Sequence, residues 1–201
     1  MSVRKISTAS ILSPAYKNSK IWDGTTFPGY FESIATAIVD SSGASSITFS
    51  NIPQNYEHLQ VRLIVRTDRA ADTQDAVNMR FNSDTGSNYS WHYISGNGSS
   101  VTSGAGSSAS LIFNAAIGTA ASATSGIFGV SFIDILDYKN TNKYKTTRSL
   151  TGQDINGGGV CQFFSGNWMN TSAITTITFT PNIGTNMVQY SQFALYGIRG
   201  V

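Results

Sequence analysis

"HLQVRLIVRTDR", residues His58 to Arg69, decides the fold class. Leu59, Val61, Leu63 and Val65 share one side of an extended chain, and Gln60, Arg62 and Arg66 share the other. Side chains alternate across a strand, so this is the pattern of a half-buried antiparallel strand, with Ile64 its one exception. "AVNMRFN" (76–82) repeats the pattern through Val77, Met79 and Phe81, and "NYSWHYIS" (88–95) follows it.

Outward from there the chain keeps the same grammar. "ESIATAIVD" and "SSITFSNI" flank a Gly-containing turn and read as a hairpin-like pair. "SGNGSSVTSGAGSSAS" (95–110) has the composition of a flexible loop. "SGIFGVSFIDILDY" (125–138) is apolar almost throughout, as a central strand covered on both faces would be. "KYKTTRSLTG" and "GVCQFFSG" enclose the Gly turn "QDINGGG", and the closing "MVQYSQFALYGIRGV" reads as a strand tied into a sheet. Helical spacing of apolar residues is sustained nowhere, and β-branched, aromatic and Gly residues disfavour helices. The expectation is an all-β, antiparallel β-sandwich, jelly-roll-like, over residues 29–201.

Residues 1–28 differ. They are rich in Ser, Thr and Lys, with Pro14 and Pro28 and isolated large apolar residues, and cannot bury themselves. An extended N-terminal arm is expected, laid along another surface through Ile11, Leu12, Tyr16 and Trp22, with Arg4, Lys5, Lys17 and Lys20 pairing with acidic neighbours.

Composition narrows the function. Charged residues make up 12% of the 201, about half the usual share, so Ser, Thr, Asn and Gly must supply solubility. That palette suits an extracellular or virion surface. A net charge of +2 argues against nucleic-acid binding. The single Cys161 cannot form an internal disulfide and reads as a small core residue. No apolar run approaches a membrane span or a signal-peptide core, so synthesis in a cytoplasm, without membrane insertion or signal-directed export, is expected.

Catalytic patterns are sparse. His58 and His92 are the only histidines, and His92 faces away from its neighbours Trp91 and Tyr93 on strand alternation. Asp134 and Asp137 are three apart, on opposite faces of a strand, and cannot converge on one glycosidic bond. Asp68, Asp72 and Asp75, in "RTDRAADTQD", read as a solvated loop. "FNSDTGSNYSW" (81–91) spaces Asn82, Asp84, Gly86 and Asn88 like calcium ligands, but it offers one carboxylate and lacks the one that closes a calcium loop. Turn chemistry explains those residues without a ligand, and no cofactor is implied. Tyr89, Trp91 and Tyr93 share one face of a strand, as core filling, a subunit interface, or a saccharide-stacking platform.

Several segments resemble one group of proteins. "ITFSNIPQNYEHLQVRLIVRT", "FNSDTGSNYSWHYISGNGSS", "GNWMNTSAITTITFTP" and "QYSQFALYGI" are similar, in order, to virion structural proteins of tailed bacteriophages of the marine and cyanobacterial type. The similarity spans most of residues 32 to 198. Its motifs, such as the Ile52-Pro53 turn closed by Tyr56 and Leu59, are packing patterns rather than active-site signatures. The resemblance implies a non-enzymatic exterior module of the head or tail. Capsid decoration or cement is favoured, with capsid or tail proteins as partners and a homo-oligomer, by preference a trimer. The alternative is a tail-fibre or receptor-binding head for a host-surface glycan, with Tyr89, Trp91 and Tyr93 as contacts.

Overall fold

Twelve strands occupy residues 31–199, the residues that the computed structural model describes. They are β1 (Phe31–Ile38), β2 (Ile47–Phe49), β3 (His58–Val65), β4 (Gln74–Phe81), β5 (Tyr89–Gly96) and β6 (Val101–Ala109), then β7 (Ile112–Thr119), β8 (Gly129–Ile135), β9 (Lys145–Asp154), β10 (Gly159–Trp168), β11 (Ile177–Pro181) and β12 (Gln192–Ile198). An eight-stranded sheet runs β1-β12-β3-β8-β9-β10-β5-β6, and a four-stranded sheet runs β2-β11-β4-β7. Neighbouring strands are antiparallel in both. The fold is an all-β sandwich, with β7 packed across β8, β9 and β10 of the larger sheet.

Period-two alternation builds the core. β3 buries Leu59, Val61, Leu63 and Val65, and β4 meets them with Val77, Met79 and Phe81. Fully burying one such side chain contributes about 1.5–3 kcal/mol, so a handful of these positions outweighs any single polar contact. The Ile52-Pro53 turn is stapled as its residues suggest. Ile52, Tyr56 and Leu59 are buried, the Tyr138 hydroxyl donates to the Pro53 carbonyl, and Tyr56 lies against Gly197, where an added Cβ would sit 2.4 Å from the ring.

Lys145 opens β9 and is fully buried. Its ammonium donates to the carbonyls of Asn140 (2.5 Å), Lys143 (3.0 Å) and Thr171 (3.0 Å), matching its three protons to three acceptors. Burial pushes its pKa down from the usual lysine value.

Five expectations are corrected. β1 and β2 are not a hairpin: β1 pairs with β12 and β2 with β11, because residues 39–46 carry the chain from one sheet to the other. The Gly/Ser tract is not a free loop, since its second half is the edge strand β6, paired along β5. β8 is central within its sheet but, among the described residues, covered on one face only, and Val130 and Phe132 lie exposed on the other. Cys161 is exposed rather than core, because it lies on the outward phase of β10. Asp75 is not solvated: it is buried in β4 and accepts from the Thr67 hydroxyl (3.0 Å) and the Gly184 amide (2.9 Å).

Candidate functional site

The loop between β4 and β5 is a turn in which Asn82, Asp84 and Asn88 are tied to protein partners, while Ser83, Thr85 and Ser87 face outward. Asn82 and Ser83 take left-handed backbone angles, φ 49° and 56°, which polar turn residues tolerate. The Asn82 side-chain oxygen Oδ1 accepts from the amides of Thr175 (2.8 Å) and Thr176 (3.1 Å), tying the loop to the approach to β11. Asp84 accepts from the Gly86 amide (2.8 Å), the Asn88 side-chain amide (2.9 Å) and the Trp168 indole N–H (2.8 Å). The Asn88 amide, then the Trp168 indole and the Gly86 amide, hold its pKa below the usual carboxylate value. Both carboxylate oxygens therefore have protein donors. Among the described residues no group of three or more His, Cys, Asp or Glu side chains is placed to hold a metal ion.

The three aromatics of β5 point to the inner side of the sheet and then part company. Tyr89 is fully buried. Its oxygen accepts from the Phe81 amide (3.1 Å), and its hydroxyl lies within hydrogen-bonding distance of the Phe81 carbonyl (3.2 Å). Burial pushes its pKa up to about 12. Tyr89 is thus a core residue and no surface contact. Trp91 is half-buried among Phe113 (5.2 Å between ring centroids), Tyr93 (6.0 Å) and Phe164 (6.4 Å).

Tyr93 alone of the three borders open space. Trp91 and Tyr93 lie over Gly106 and Gly104 of β6, where an added Cβ would sit 2.5 Å and 2.7 Å from the respective rings. Only glycine lets both rings lie that close to the edge strand.

That open space is a cleft of about 320 Å³ between the two sheets. Tyr93, Ser95 and Thr102 of β5 and β6, with Gln162 of β10, form one wall. Phe113 and Asn114 of β7, with Asp75 and Arg69, form the other. The pairing of β4 with β7 shifts register between Val77 and Met79, and Asn114 sits in the resulting irregularity at φ 58°. Such a bulge re-aims a side chain. Asn114 donates to the Gln162 side-chain oxygen at 3.3 Å. Its own side-chain oxygen and the Gln162 Nε2 are buried with no hydrogen-bond partner among the described residues. Asn114, Gln162 and Phe113 were not legible as site residues; the only trace was a polar Asn interrupting the apolar run "LIFNAAIG".

A second feature covers the outward face of the large sheet. Cross-strand register sets Phe132, Leu150, Phe163 and Ile94 in one row across β8, β9, β10 and β5. Ile64 and Val130 lie in the next row, with Val101 at its far end on β6. These seven side chains are each 45–71% exposed. Arg62 closes one end of the first row, its guanidinium over the rings of Phe31 (4.9 Å), Tyr196 (5.2 Å) and Phe132 (5.6 Å).

The other polar candidates do not converge. His92 is exposed on the outward face, and the Nδ1 of His58 accepts from the Asp137 amide at 2.9 Å. Asp134 pairs with Arg148 (2.9 Å) and accepts from Gln60 (2.9 Å), while Asp137 pairs with Lys143 beyond the end of β8. The expected arm residues Arg4, Lys5, Ile11, Leu12, Tyr16, Lys17, Lys20 and Trp22 lie outside the described residues. No protein-family model, curated protein or solved structure matches the chain.

Proposed function

We propose that this chain is a non-enzymatic structural protein of a tailed-phage virion. It is an exterior β-sandwich module, a capsid decoration or cement protein, attached to the particle through its N-terminal arm. The observation that carries this reading is the uncovered outer face of β8 and its neighbours. Core aromatics and aliphatics of roughly 150–250 Å² each, exposed to this degree, sum to something on the order of 700 Å². That exceeds the largest apolar patch of most monomers and approaches the area that one partner contributes to a standard interface. A strand whose sequence suits cover on both faces, but which the described residues cover on one, supports a partner for the other.

The partner for this face is a second copy of the chain. The face is apolar, with the small residues Gly152 and Gly96 flanking Cys161 in the second row, so another copy of it can approach closely. A homo-oligomer held together here, a two-fold dimer if the face meets itself, would present its arms together to a capsid or tail surface. The low charge, the Ser/Thr/Gly-rich composition and the likeness of four segments to phage structural proteins support the particle assignment.

Labelled antibody against the chain on purified particles tests that assignment. Label is expected on the head exterior, and its absence from particles would refute the reading. Sedimentation of the full chain tests the oligomer separately. Phe132→Ser with Phe163→Ser should yield a folded monomer, whereas a monomeric parent at tens of micromolar would exclude this face as the subunit contact.

The second reading is a tail-fibre or receptor-binding head for host-surface glycan. The specific observation favouring it is Tyr93, the one aromatic of β5 that opens into the inter-sheet cleft.

A further inference from the structure

We propose that the inter-sheet cleft is a binding site for a neutral saccharide, seated on the Tyr93 ring and held by the Asn114–Gln162 amide pair. The inference rests on the glycan-recognition reading and is independent of where on a particle the module sits.

Shape comes first. The cleft, about 320 Å³, is at the small end of the range for small-molecule sites and has room for a mono- or disaccharide. One wall is a preformed aromatic surface. Gly104 lets Tyr93 lie against the edge strand, and Trp91 fixes its orientation by stacking beside it with 15° between the ring planes. A ring held this way loses little freedom when the C–H face of a pyranose settles on it.

Polarity comes second. Gln162 is 2% exposed, yet its Nε2 has no acceptor, and the neighbouring Asn114 oxygen has no donor. Leaving a buried donor or acceptor unmet costs about 1–3 kcal/mol, so such pairs in native proteins call for a partner. One donor and one acceptor on two hydrogen-bonded residues of the lining match a sugar hydroxyl, which accepts one hydrogen bond and donates another. Ser95 and Thr102 add hydroxyls to the same wall.

Charge decides the class of sugar. Arg69, the cation of the cleft, already pairs with Asp72 at 2.6 Å and lies 3.9 Å from the buried Asp75. With its charge matched inside the protein, the cleft has no free cation among the described residues for a carboxylate or sulfate. The geometry therefore fits neutral hexoses and N-acetylhexosamines rather than acidic sugars.

The test uses the full chain, isotopically labelled. Glucose, galactose, mannose, N-acetylglucosamine, their disaccharides and sialyllactose are each titrated while NMR follows the side-chain amides of Asn114 and Gln162. At least one neutral sugar should shift these resonances saturably. Tyr93→Ala should weaken that sugar by roughly tenfold or more, the loss expected when a stacking ring is removed. Thr102→Trp, a change at an exposed edge position that fills the cleft without touching the core, should weaken it similarly. Three results would each overturn the proposal: no sugar moving those amides, sialyllactose preferred over every neutral sugar, or binding that survives Thr102→Trp. Particle labelling would be unaffected by any of them.

Discussion

Replacing Asp84 by alanine should destabilise the sandwich far more than its place in a surface turn suggests. Its carboxylate accepts from Gly86, Asn88 and the indole N–H of Trp168, and Trp168 is 1% exposed. The two loop contacts stand near water and are discounted to about 0.5 kcal/mol each. The indole is different: without Asp84 it becomes a donor lacking its acceptor, at about 1–3 kcal/mol. Together these give about 3 kcal/mol, or roughly 6–12 °C in Tm for a domain of this size. Asp84→Asn keeps an acceptor for the indole and should lose about half as much.

Urea unfolding followed by circular dichroism measures the loss. A double-mutant cycle with Trp168→Phe, which removes the donor and keeps a ring, should return a coupling of about 1–2 kcal/mol. The pH dependence has a fixed sign. The folded-state pKa lies below the ordinary value of 3.8, so the carboxylate's contribution is fully present above that value. It is lost as pH falls through the lower, folded-state value, and the gap between parent and variant should narrow there and stay flat at neutral pH. A variant within about 0.5 kcal/mol of the parent, the usual surface scatter, would refute this account. So would additive single substitutions, or a calcium-dependent rise in the parent's Tm.

Lys145→Met should cost about 3–5 kcal/mol in urea unfolding, because it leaves the Asn140, Lys143 and Thr171 carbonyls without their shared donor; a loss under 1 kcal/mol, on the order of a tolerated core swap, would mean water replaces the ammonium. Gly106→Val should displace Trp91, whose ring would lie 2.5 Å from the new Cβ. Trp emission should then shift, the shift should vanish in a Trp91→Phe background, and hydrogen exchange should quicken along residues 101–109. Cys161 should react promptly with a thiol reagent in dilute, monomeric protein and slow as concentration rises, since it lies on the face assigned to the second copy. A concentration-independent rate would count against that face.

The alternation of β3 and β4 made the all-β class legible, because burial on one face imposes a period that survives in a single sequence. Sheet membership was not legible. The order β1-β12-β3 joins strands remote in sequence, and nothing local in "ESIATAIVD" says that its partner is "QFALYGI". The edge strand β6 was hidden by its composition: Gly104 and Gly106 look like loop glycines and are required under Tyr93 and Trp91. The available signal was a matched spacing, two aromatics at i and i+2 facing two glycines at i and i+2 across a turn. β8 carried the opposite lesson. Its near-continuous apolarity suits cover on both faces, whereas the described residues cover one face. The cleft was the least legible feature, since it depends on a bulge that aims Asn114 at Gln162 across 48 positions of sequence.

The seating of β12 between β1 and β3 has a consequence for biosynthesis. Phe31 pairs with Ile198, so β1 emerges from the ribosome long before the strand that holds it exists. At about 5–20 residues per second, the wait is on the order of ten to thirty seconds. Throughout it, β3 has at least one edge unpaired, both until β8 is made, and β1 lacks the strand that it pairs with. The large sheet therefore closes only after translation has reached its last strand. A nonsense codon anywhere before Gln192 would remove the joint between the first and third strands, not a dispensable tail.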